Sequence, residues 1–323
     1  MIKITNSLLD IAINSDTQWV LKRQGGKGRA AVLWVHGGPG STLMPFSLAF
    51  DSDLLGYFDV IHWDQRASGK SYHSKSPDGL ISLKLFAEDL EHLLRVIRDD
   101  WGYENVICIG HSWGSVLGLT LASRFNCMMK GFVSVGQVVD DKKAQDLQIK
   151  FLKRHFNATD DKVTMAELKR FESSPLSAEG RLTLSALLGT HDGIFGGLDL
   201  NTLEKAFKES PFVLPEEEHT QQKSISFLVE KLWPEINAFD FKRVMSTVRV
   251  PVLFVNGLRD LATPYCLLEE ALSQVAQSPL LIEQAVFPEQ GHFPFWEAPE
   301  RFCETIVTWS IKKLGLKLAA VRV

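Results

Sequence analysis

Short apolar runs alternate along most of the chain with longer segments whose apolar residues recur at helical spacing. The runs of strand length are 30–35, 58–63, 105–109 and 250–256, with 131–139 and 280–287 as two more. Continuous apolar runs separated by helical segments are typical of parallel strands that are covered on both faces. We therefore predict an α/β fold with a mostly parallel, doubly wound sheet, in which ligands bind at the carboxyl ends of the strands.

Two segments have the spacing of helices that cover such a sheet. Between residues 82 and 100 the apolar positions share one helical face, and the charged positions, Asp89 among them, lie elsewhere. We therefore predict an amphipathic helix whose charged side faces solvent. Another helix is predicted to begin at Pro299, because proline is favoured in the first turn of a helix.

Between residues 140 and 243 the strand pattern stops, and a charged sequence of helical character intervenes. The chain of 323 residues is also large for one hydrophobic core. We therefore predict a sheet domain formed by residues 1–139 and 244–323 and a helical cap formed by residues 140–243. The cap is expected to leave and re-enter the sheet at carboxyl ends and to cover the site. The prolines expected to separate its short helices are Pro175, Pro211, Pro215 and Pro234.

The composition disfavours several classes of protein. The formal net charge is −4 and no basic block is present, which argues against a nucleic-acid partner. No run of about 18 apolar residues is present, so no membrane partner is expected, and no signal peptide is apparent. We predict a cytoplasmic protein whose cysteines are buried and reduced, because they lie in apolar surroundings without metal-ligand spacing. These cysteines are Cys108, Cys127, Cys266 and Cys303.

Residues 110–114, Gly-His-Ser-Trp-Gly, match the motif G-x-S-x-G between a predicted strand and a helical run. In this context the serine lies on a sharp strand-to-helix turn, and the two glycines avoid collisions across that turn. We predict that Ser112 is a nucleophile. The alternative is a glycine-rich turn with an incidental serine.

A serine nucleophile needs a base, and a neutral histidine is suited to that role at physiological pH. His292 follows the run 280–287 and precedes the last helix, which is where the base lies in the chain order serine, acid, histidine. We predict His292 as the base. His36 and His111 flank motif glycines and are expected to hold loop backbone by hydrogen bonds.

The acid that orients this base is expected after the run 250–256, where Gly-Leu-Arg-Asp ends at Asp260. A carboxylate there would fix the histidine tautomer and stabilise the imidazolium. Asp140 or Asp141, after the preceding strand, is the alternative acid.

The negative oxygen of a tetrahedral intermediate needs backbone N–H donors that are already in place. We predict two donors, the N–H of Trp113 after the nucleophile and the N–H of Gly38 in the loop His-Gly-Gly-Pro-Gly. That loop lacks the lysine ending and the glycine spacing of phosphate-binding loops, which disfavours a nucleotide site.

Read in order, the motifs HGGPG, DQR-x-SGKS, GHSWGS, GLRD and QGH resemble the proline iminopeptidase family of α/β-hydrolases. The resemblance covers residues 30–139 and 250–314. It implies an α/β-hydrolase fold with an inserted helical cap, and Ser112, Asp260 and His292 as a catalytic triad. It also implies that Gly38 and Trp113 donate to the oxyanion, and that neither a metal nor an organic cofactor takes part.

The chain departs from this family in three places. Ala67 stands where the DQR loop usually has glycine, and His111 stands where the family usually has glycine before the nucleophile. The family holds the free amine of its substrate within a W-x-x-W-E stretch of the cap, whereas this cap has one tryptophan, Trp233. The glutamates that could take over this task, in a run that usually faces solvent, are Glu216, Glu217, Glu218, Glu230 and Glu235.

The sequence therefore predicts a serine hydrolase that cleaves a small ester, thioester, lactone or amide through an acyl-enzyme. Its partner is expected to be a small molecule or a short peptide, and the sequence leaves the oligomeric state open. A narrower hypothesis is a prolyl aminopeptidase that releases N-terminal proline. A hypothesis of another class is a ligand receptor on the same fold that has lost the chemistry.

Overall fold

The computed structural model describes residues 4–25, 30–73, 81–124, 128–159, 161–173, 176–214, 217–275 and 281–318. Within these ranges one sheet contains the strands β1 Thr5–Ile13, β2 Asp16–Gln24, β3 Ala30–Val35, β4 Asp59–Asp64, β5 Asn105–His111, β6 Gly131–Val135, β7 Val252–Gly257 and β8 Ile282–Phe287. Their order across the sheet is β1-β2-β4-β3-β5-β6-β7-β8. Strand β2 pairs antiparallel with β1 and β4, and all later neighbours are parallel. The predicted mostly parallel sheet is confirmed.

Helices cover both faces of this sheet. They are α1 Ser47–Phe50, α2 Ser52–Leu55, α3 Leu83–Arg95, α4 Trp113–Ala122, α5 Asp141–Thr159, α6 Lys162–Ser173, α7 Ala178–Thr190, α8 Leu200–Lys208, α9 Glu217–Asn237, α10 Phe241–Met245, α11 Tyr265–Ser273, α12 Pro294–Glu297 and α13 Pro299–Leu314. Apolar side chains of α3 and α4 join one core cluster, and those of α2 and α13 join the cluster on the other face. The doubly wound arrangement and the helix that begins at Pro299 are therefore both confirmed.

The strands β3 to β8 are the ones predicted from apolar runs, and of these β8 lies at the edge of the sheet. β3, β4 and β7 are buried along their whole length, as expected for parallel strands with helices on both faces. β6 is shorter than the predicted run 131–139, because the chain turns at Gly136 with a φ of 60°. A Cβ at this position would lie 3.0 Å from the ring of His292. Glycine is therefore favoured at position 136 both by the positive φ of the turn and by the close approach of the His292 ring.

The N-terminal hairpin of β1 and β2 was not predicted. Among the described strands β1 pairs with β2 alone, at the edge of the sheet, and its residues are mostly exposed or half-buried. An edge strand with little burial carries polar residues such as Asn6 and Asp10, so no apolar run marks it in the sequence.

The predicted helix at 82–100 is α3, followed by a single π-helical turn that ends at Asp100. Ser82 caps α3, since its hydroxyl accepts a hydrogen bond from the N–H of Leu85 at 3.2 Å. The prediction that Asp89 faces solvent was wrong, because this side chain is completely buried. Arg66 donates to both carboxylate oxygens of Asp89, at 2.9 and 3.0 Å, and this pairing makes burial of the charge tolerable.

The segment between β6 and β7 is helical, as predicted, and contains α5 to α10. Its small core is formed by Ile149, Leu152, Phe156, Leu168, Leu184 and Leu188. The predicted re-entry was wrong in one respect. Because β6 and β7 are parallel, the segment leaves the carboxyl end of β6 but joins the amino end of β7, through α10.

Pro234 does not separate two helices, contrary to the prediction, because it lies inside α9. A proline within a helix costs about 3 kcal/mol. The same helix buries Leu228, Leu232 and Ile236 in the core, and each such side chain contributes roughly 1.5–3 kcal/mol. Packing therefore outweighs the lost hydrogen bond. Pro211 does lie between α8 and α9, whereas Pro175 and Pro215 lie outside the described residues.

The cysteine prediction was right for Cys108 and Cys303, which are buried, and wrong for Cys266, which is exposed. Cys266 lies on the outer side of α11, opposite the buried Leu267 and Leu268, so its apolar neighbours do not cover it. Cys127 lies outside the described residues. In the described part of the chain, no helix combines the length and apolar character needed to cross a bilayer.

Candidate active site

Ser112 lies at the junction of β5 and α4, where the backbone takes the unusual angles φ 54° and ψ −117°. The turn has no room for a side chain at the position two residues before the serine or at the position two residues after it. A Cβ at Gly110 would lie 2.3 Å from the carbonyl oxygen of Gly114, and a Cβ at Gly114 would lie 2.0 Å from that of Val35. The predicted strand, turn and helix around Ser112 are therefore all present.

Asp260 and His292 meet at the same edge of the sheet, because one follows β7 and the other follows the neighbouring β8. Oδ2 of Asp260 lies 2.7 Å from Nδ1 of His292, and both side chains are buried. This contact makes Nδ1 the protonated nitrogen of the ring and leaves Nε2 as the acceptor.

Thr263 supports this pair and was not predicted. Its hydroxyl donates to Oδ2 of Asp260 at 2.6 Å, and its N–H donates to Oδ1 at 3.0 Å. An aspartate followed three residues later by threonine is a pattern in which the carboxylate accepts local backbone and hydroxyl hydrogen bonds. That spacing was the available sequence signal.

The alternative acids, Asp140 and Asp141, lie at the start of α5. Asp140 accepts a hydrogen bond from the N–H of Lys143 at 3.0 Å and so caps that helix. Among the described residues, Asp260 is the carboxylate that is hydrogen-bonded to His292, and Asp140 and Asp141 are not.

Ser112 and His292 line the same cavity. The hydrogen bonds found among the described residues do not include one between Oγ of Ser112 and Nε2 of His292. Such contacts are often long without substrate and tighten only when the substrate is bound. The geometry therefore brings Asp260 and His292 into contact, with Ser112 on the same cavity wall.

The two predicted oxyanion donors, Gly38 and Trp113, also line this cavity. Gly38 has a φ of 115°, which favours glycine, and a Cβ there would lie 2.7 Å from the backbone nitrogens of Gly40 and Ser41. Trp113 is the first residue of α4, where backbone N–H groups have no partner within the helix. Across the described ranges, neither N–H donates to a protein acceptor, so both are available to donate a hydrogen bond to a substrate.

His36 holds the loop that contains Gly38. Its Nδ1 donates to the carbonyl oxygen of Gly37 at 2.8 Å, and its Nε2 accepts from the N–H of Gln65 at 3.1 Å. Burial lowers the pKa of His36 to about 4, which keeps the ring neutral and able to accept. The predicted role of His36 in holding backbone is confirmed.

His111 holds the loop of the proposed base. Its Nε2 donates to the carbonyl oxygen of His292 at 2.9 Å, and the two rings lie 4.5 Å apart between centroids. Burial, together with the neighbouring His292, lowers the pKa of His111 well below its ordinary value. The predicted backbone role of His111 is confirmed as well.

Residues 193–196 of the inserted segment, which we call the cap strap, bind the loops of both Asp260 and His292. The N–H of His292 donates to the carbonyl oxygen of Ile194 at 2.7 Å. The N–H of Leu261, next to Asp260, donates to the carbonyl oxygen of Gly193 at 2.9 Å. The inserted segment therefore contacts directly the backbone of His292 and the backbone next to Asp260.

Glu297 ties the cap strap to the histidine loop. Its Oε2 accepts from the N–H groups of Gly196, at 3.0 Å, and Gly291, at 2.7 Å. Burial raises the pKa of this carboxyl group. Neither the strap nor Glu297 was predicted, because a glycine-rich stretch and a lone glutamate give no local signal of a contact about 100 residues apart in the chain.

The cavity has a volume of about 380 Å³ and lies between the sheet edge and the inserted segment. Most of its wall is apolar, with contributions from Leu43, Phe46, Ile225, Val229, Phe293 and Trp296. Three charged residues also line it, namely Asp140, Asp141 and Arg181. Such an apolar cavity with a few polar groups is typical of a site for a small molecule.

None of the predicted amine anchors that the structure describes lines this cavity. Glu217 is buried, contrary to the solvated face that was predicted, because it pairs with the buried Lys70 at 2.5 Å. Glu235 accepts from the N–H of Leu83, and Glu230 is exposed. Glu216 and the side chain of Glu218 lie outside the described residues.

Comparisons with known proteins agree with this arrangement. A sequence profile described as "alpha/beta hydrolase fold" matches residues 30–299. A "Probable aminopeptidase YbaC" of Bacillus subtilis (strain 168) is 23% identical over 283 residues, which is 85% of this chain and 87% of that protein. A "Proline iminopeptidase" of Clostridioides difficile (strain 630) is 20% identical over 289 residues, which is 88% of this chain and 90% of that protein.

A solved structure has the same fold over nearly the whole chain. It is the proline iminopeptidase of Mycobacterium smegmatis, which superposes with a TM-score of 0.70 at 17% identity and covers 95% of this chain and 99% of its own. At this identity the likeness bears on the fold alone. It agrees with an eight-stranded, mostly parallel sheet that carries a helical insertion.

Proposed function

The chain belongs to the α/β-hydrolase fold family and is a hydrolase enzyme, and we propose that it is a serine hydrolase with Ser112, His292 and Asp260 as its triad. The observation that carries the proposal is the buried contact of 2.7 Å between Asp260 and His292, beside a serine on a strained turn of the same cavity. We further propose residues 1–139 and 244–323 as the sheet domain and residues 140–243 as the cap, a division that falls within α10. The free thiols of Cys266 and Cys303 suit a reducing compartment, which supports the cytoplasm as the proposed location.

In the proposed reaction, Oγ of Ser112 attacks the substrate carbonyl while Nε2 of His292 takes the hydroxyl proton. Asp260 stabilises the imidazolium, and the N–H groups of Gly38 and Trp113 donate to the negative oxygen. When the intermediate collapses, the bond to the leaving group breaks and His292 returns the proton to that group. Water then attacks the acyl-enzyme with His292 as base, which releases the acid and restores Ser112.

The proposed substrates are small esters, thioesters, lactones or amides, because the proposed reaction needs a carbonyl group that Ser112 can attack and the cavity has the volume of a small-molecule site. The names of the relatives support a second candidate, a prolyl aminopeptidase. The amine of such a substrate needs an acidic anchor. The described members of the glutamate set lie away from the cavity wall, and of the two aspartates that line it, Asp140 caps α5 and Asp141 accepts from Asn237. The wider hydrolase activity is therefore the first proposal.

The test compares wild type with Ser112→Ala, using a fluorophosphonate probe, p-nitrophenyl acetate and proline p-nitroanilide. We expect the probe to label wild type and the ester to be hydrolysed, with both lost in Ser112→Ala. Ser123→Ala, at the other end of α4, is the matched control and should behave as wild type. Absence of labelling would favour the receptor hypothesis over the enzyme. Rapid turnover of the proline anilide would favour the aminopeptidase.

A further inference from the structure

A cluster of polar side chains from three cap helices reaches the wall of the cavity. We call it the Arg181 cluster, and its members are Asp141 and Gln148 from α5, Arg181 from α7, and Trp233 and Asn237 from α9. Arg181, Asp141 and Trp233 line the cavity itself. The proposed catalytic steps use none of these residues.

Arg181 is buried but only partly satisfied by its neighbours. It is 8% exposed, and its Nη1 donates to Oε1 of Gln148 at 2.7 Å. The nearest carboxylate oxygen, Oδ1 of Asp141, lies 3.7 Å from Nη2, which is too long for a hydrogen bond. A guanidinium has five N–H donors, and buried charges are normally paired and hydrogen-bonded. In the described part of the protein, Gln148 is the one hydrogen-bond acceptor of this side chain.

Asp141 lies within ion-pair distance of Arg181, but its other carboxylate oxygen is engaged by a different residue. In the orientation that its neighbours require, the Asn237 amide donates to Oδ2 of Asp141 at 2.9 Å and accepts from the indole N–H of Trp233 at 3.2 Å. Burial raises the pKa of Asp141, and the charge of Arg181 acts in the opposite direction. Asp141 therefore forms an ion pair with Arg181 at 3.7 Å but does not complete its set of hydrogen-bond acceptors.

Trp233 packs against the guanidinium of Arg181. The carbon at its centre lies 4.8 Å from the centroid of the Trp233 ring, within the range of a cation–π contact. An arginine stacked in this way keeps its N–H edge available for a planar acceptor. A carboxylate fits that edge best, because it can accept two parallel hydrogen bonds and carries the opposite charge.

We propose that Arg181 binds a free carboxylate of the substrate, at a position other than the bond that is cleaved. The substrate class is then an ester, thioester or amide of an acid that carries a second, unesterified carboxyl group. This inference rests on the proposed hydrolase function, since it concerns the same cavity. It names Arg181 as a residue that determines specificity for that reaction.

The test uses p-nitrophenyl esters in three matched forms, with acyl chains of four, six and eight carbons. The far end of the chain is a carboxylate, its methyl ester or an ammonium group, and rates are corrected for spontaneous hydrolysis. A charge-assisted hydrogen bond contributes about 10- to 100-fold to binding. We therefore expect kcat/KM to be at least about tenfold higher for the carboxylate than for the methyl ester, at one chain length or more.

Arg181→Met should remove this preference while leaving the methyl esters within about threefold of wild type. Arg181→Lys should retain part of the preference, because it keeps the charge without the planar fork. The double variant Arg181→Met/Asp141→Asn covers the case in which the single variant fails to fold, since it removes both buried charges together. Arg154→Met, an exposed arginine of α5, is the matched control and should keep the preference of wild type.

A second measurement does not depend on turnover. Calorimetry with Ser112→Ala should detect binding of monomethyl adipate, and Arg181→Met in the same background should lose it by about tenfold or more. Equal rates for carboxylate and methyl esters at every chain length, or equal losses for all esters in Arg181→Met, would overturn the inference. A preference for the ammonium esters would instead assign the subsite to Asp141. If methyl esters are hydrolysed without a carboxylate preference, the inference fails and the hydrolase proposal stands. If no ester is hydrolysed and no probe labels Ser112, the hydrolase proposal fails on its own evidence.

Discussion

Replacing Asp260 with asparagine keeps the size of the side chain but changes which of its atoms accept hydrogen bonds. The carboxylate accepts from three donors, namely Nδ1–H of His292 and the N–H and hydroxyl of Thr263. An asparagine side chain has one acceptor oxygen and one donor nitrogen. If the amide nitrogen of the asparagine faces Nδ1 of His292, the ring must carry its proton on Nε2. Nε2 can then no longer take the proton of Ser112. With its nitrogen near the N–H of Thr263, two donors face each other at about 3.0 Å.

The first arrangement avoids opposed donors, so we expect the wrong histidine tautomer to dominate. A wrong tautomer of the base lowers kcat by roughly 10⁴-fold. At about 1.4 kcal/mol for each power of ten, this raises the activation barrier by about 5.5 kcal/mol. The fold should be retained, because the substitution removes a buried charge without leaving a cavity.

The assay measures kcat for p-nitrophenyl acetate with wild type, Asp260→Asn and Asp140→Asn, and thermal unfolding checks that each variant is folded. Asp140→Asn is the control, since Asp140 caps α5 and is not hydrogen-bonded to His292 among the described residues. A folded Asp260→Asn with kcat within tenfold of wild type would refute the reasoning. A loss confined to Asp140→Asn would move the acid to the start of α5.

Two further predictions concern buried charges around the DQR loop. Burial raises the pKa of Asp64 to about 7. Between pH 4 and 7 the native state therefore keeps a proton that the unfolded chain has lost, and the free energy of unfolding falls as the pH rises through this range. In denaturant unfolding, the free energy of unfolding of Asp64→Asn relative to that of wild type should therefore be higher at pH 8 than at pH 5. An equal difference at both pH values would contradict this. Arg66→Met should lower the free energy of unfolding by about 3–5 kcal/mol, because it leaves Asp89 as an unpaired buried charge. Adding Asp89→Asn should recover part of that loss, and no recovery would contradict the argument.

The sheet and the positions around the proposed nucleophile could be predicted because their signals are local. A strand buried on both faces is a continuous apolar run, as in β3, and a turn without room for side chains requires glycines, as at Gly110 and Gly114. The chain order of parallel strands then brings the loops after β7 and β8 to one edge. That is why Asp260 and His292 could be named before their contact of 2.7 Å was known.

The features that were missed depend on partners far away in the chain. Asp89 is polar by type and lies among charged neighbours, and its burial is explained by three partners far away in the chain, namely Arg66, Gln18 and Asn14. Glu217 is buried for the same kind of reason, because Lys70 lies 147 positions away in the sequence. The position of Pro234 inside α9 reflects packing that no proline rule contains. The spacing of residues within one segment cannot predict such contacts.

The cap strap has a consequence for how this enzyme could be shortened or recombined. Its carbonyl groups at Gly193 and Ile194 receive the N–H groups of Leu261 and His292, so excising residues 140–243 would remove backbone partners of the reaction centre itself. A cap of this kind is not a detachable module that can be exchanged between homologues by cutting at its two ends. A chimera would have to preserve four residues in the middle of the inserted segment, in register with two loops that come later in the chain, while the helices around them are free to diverge.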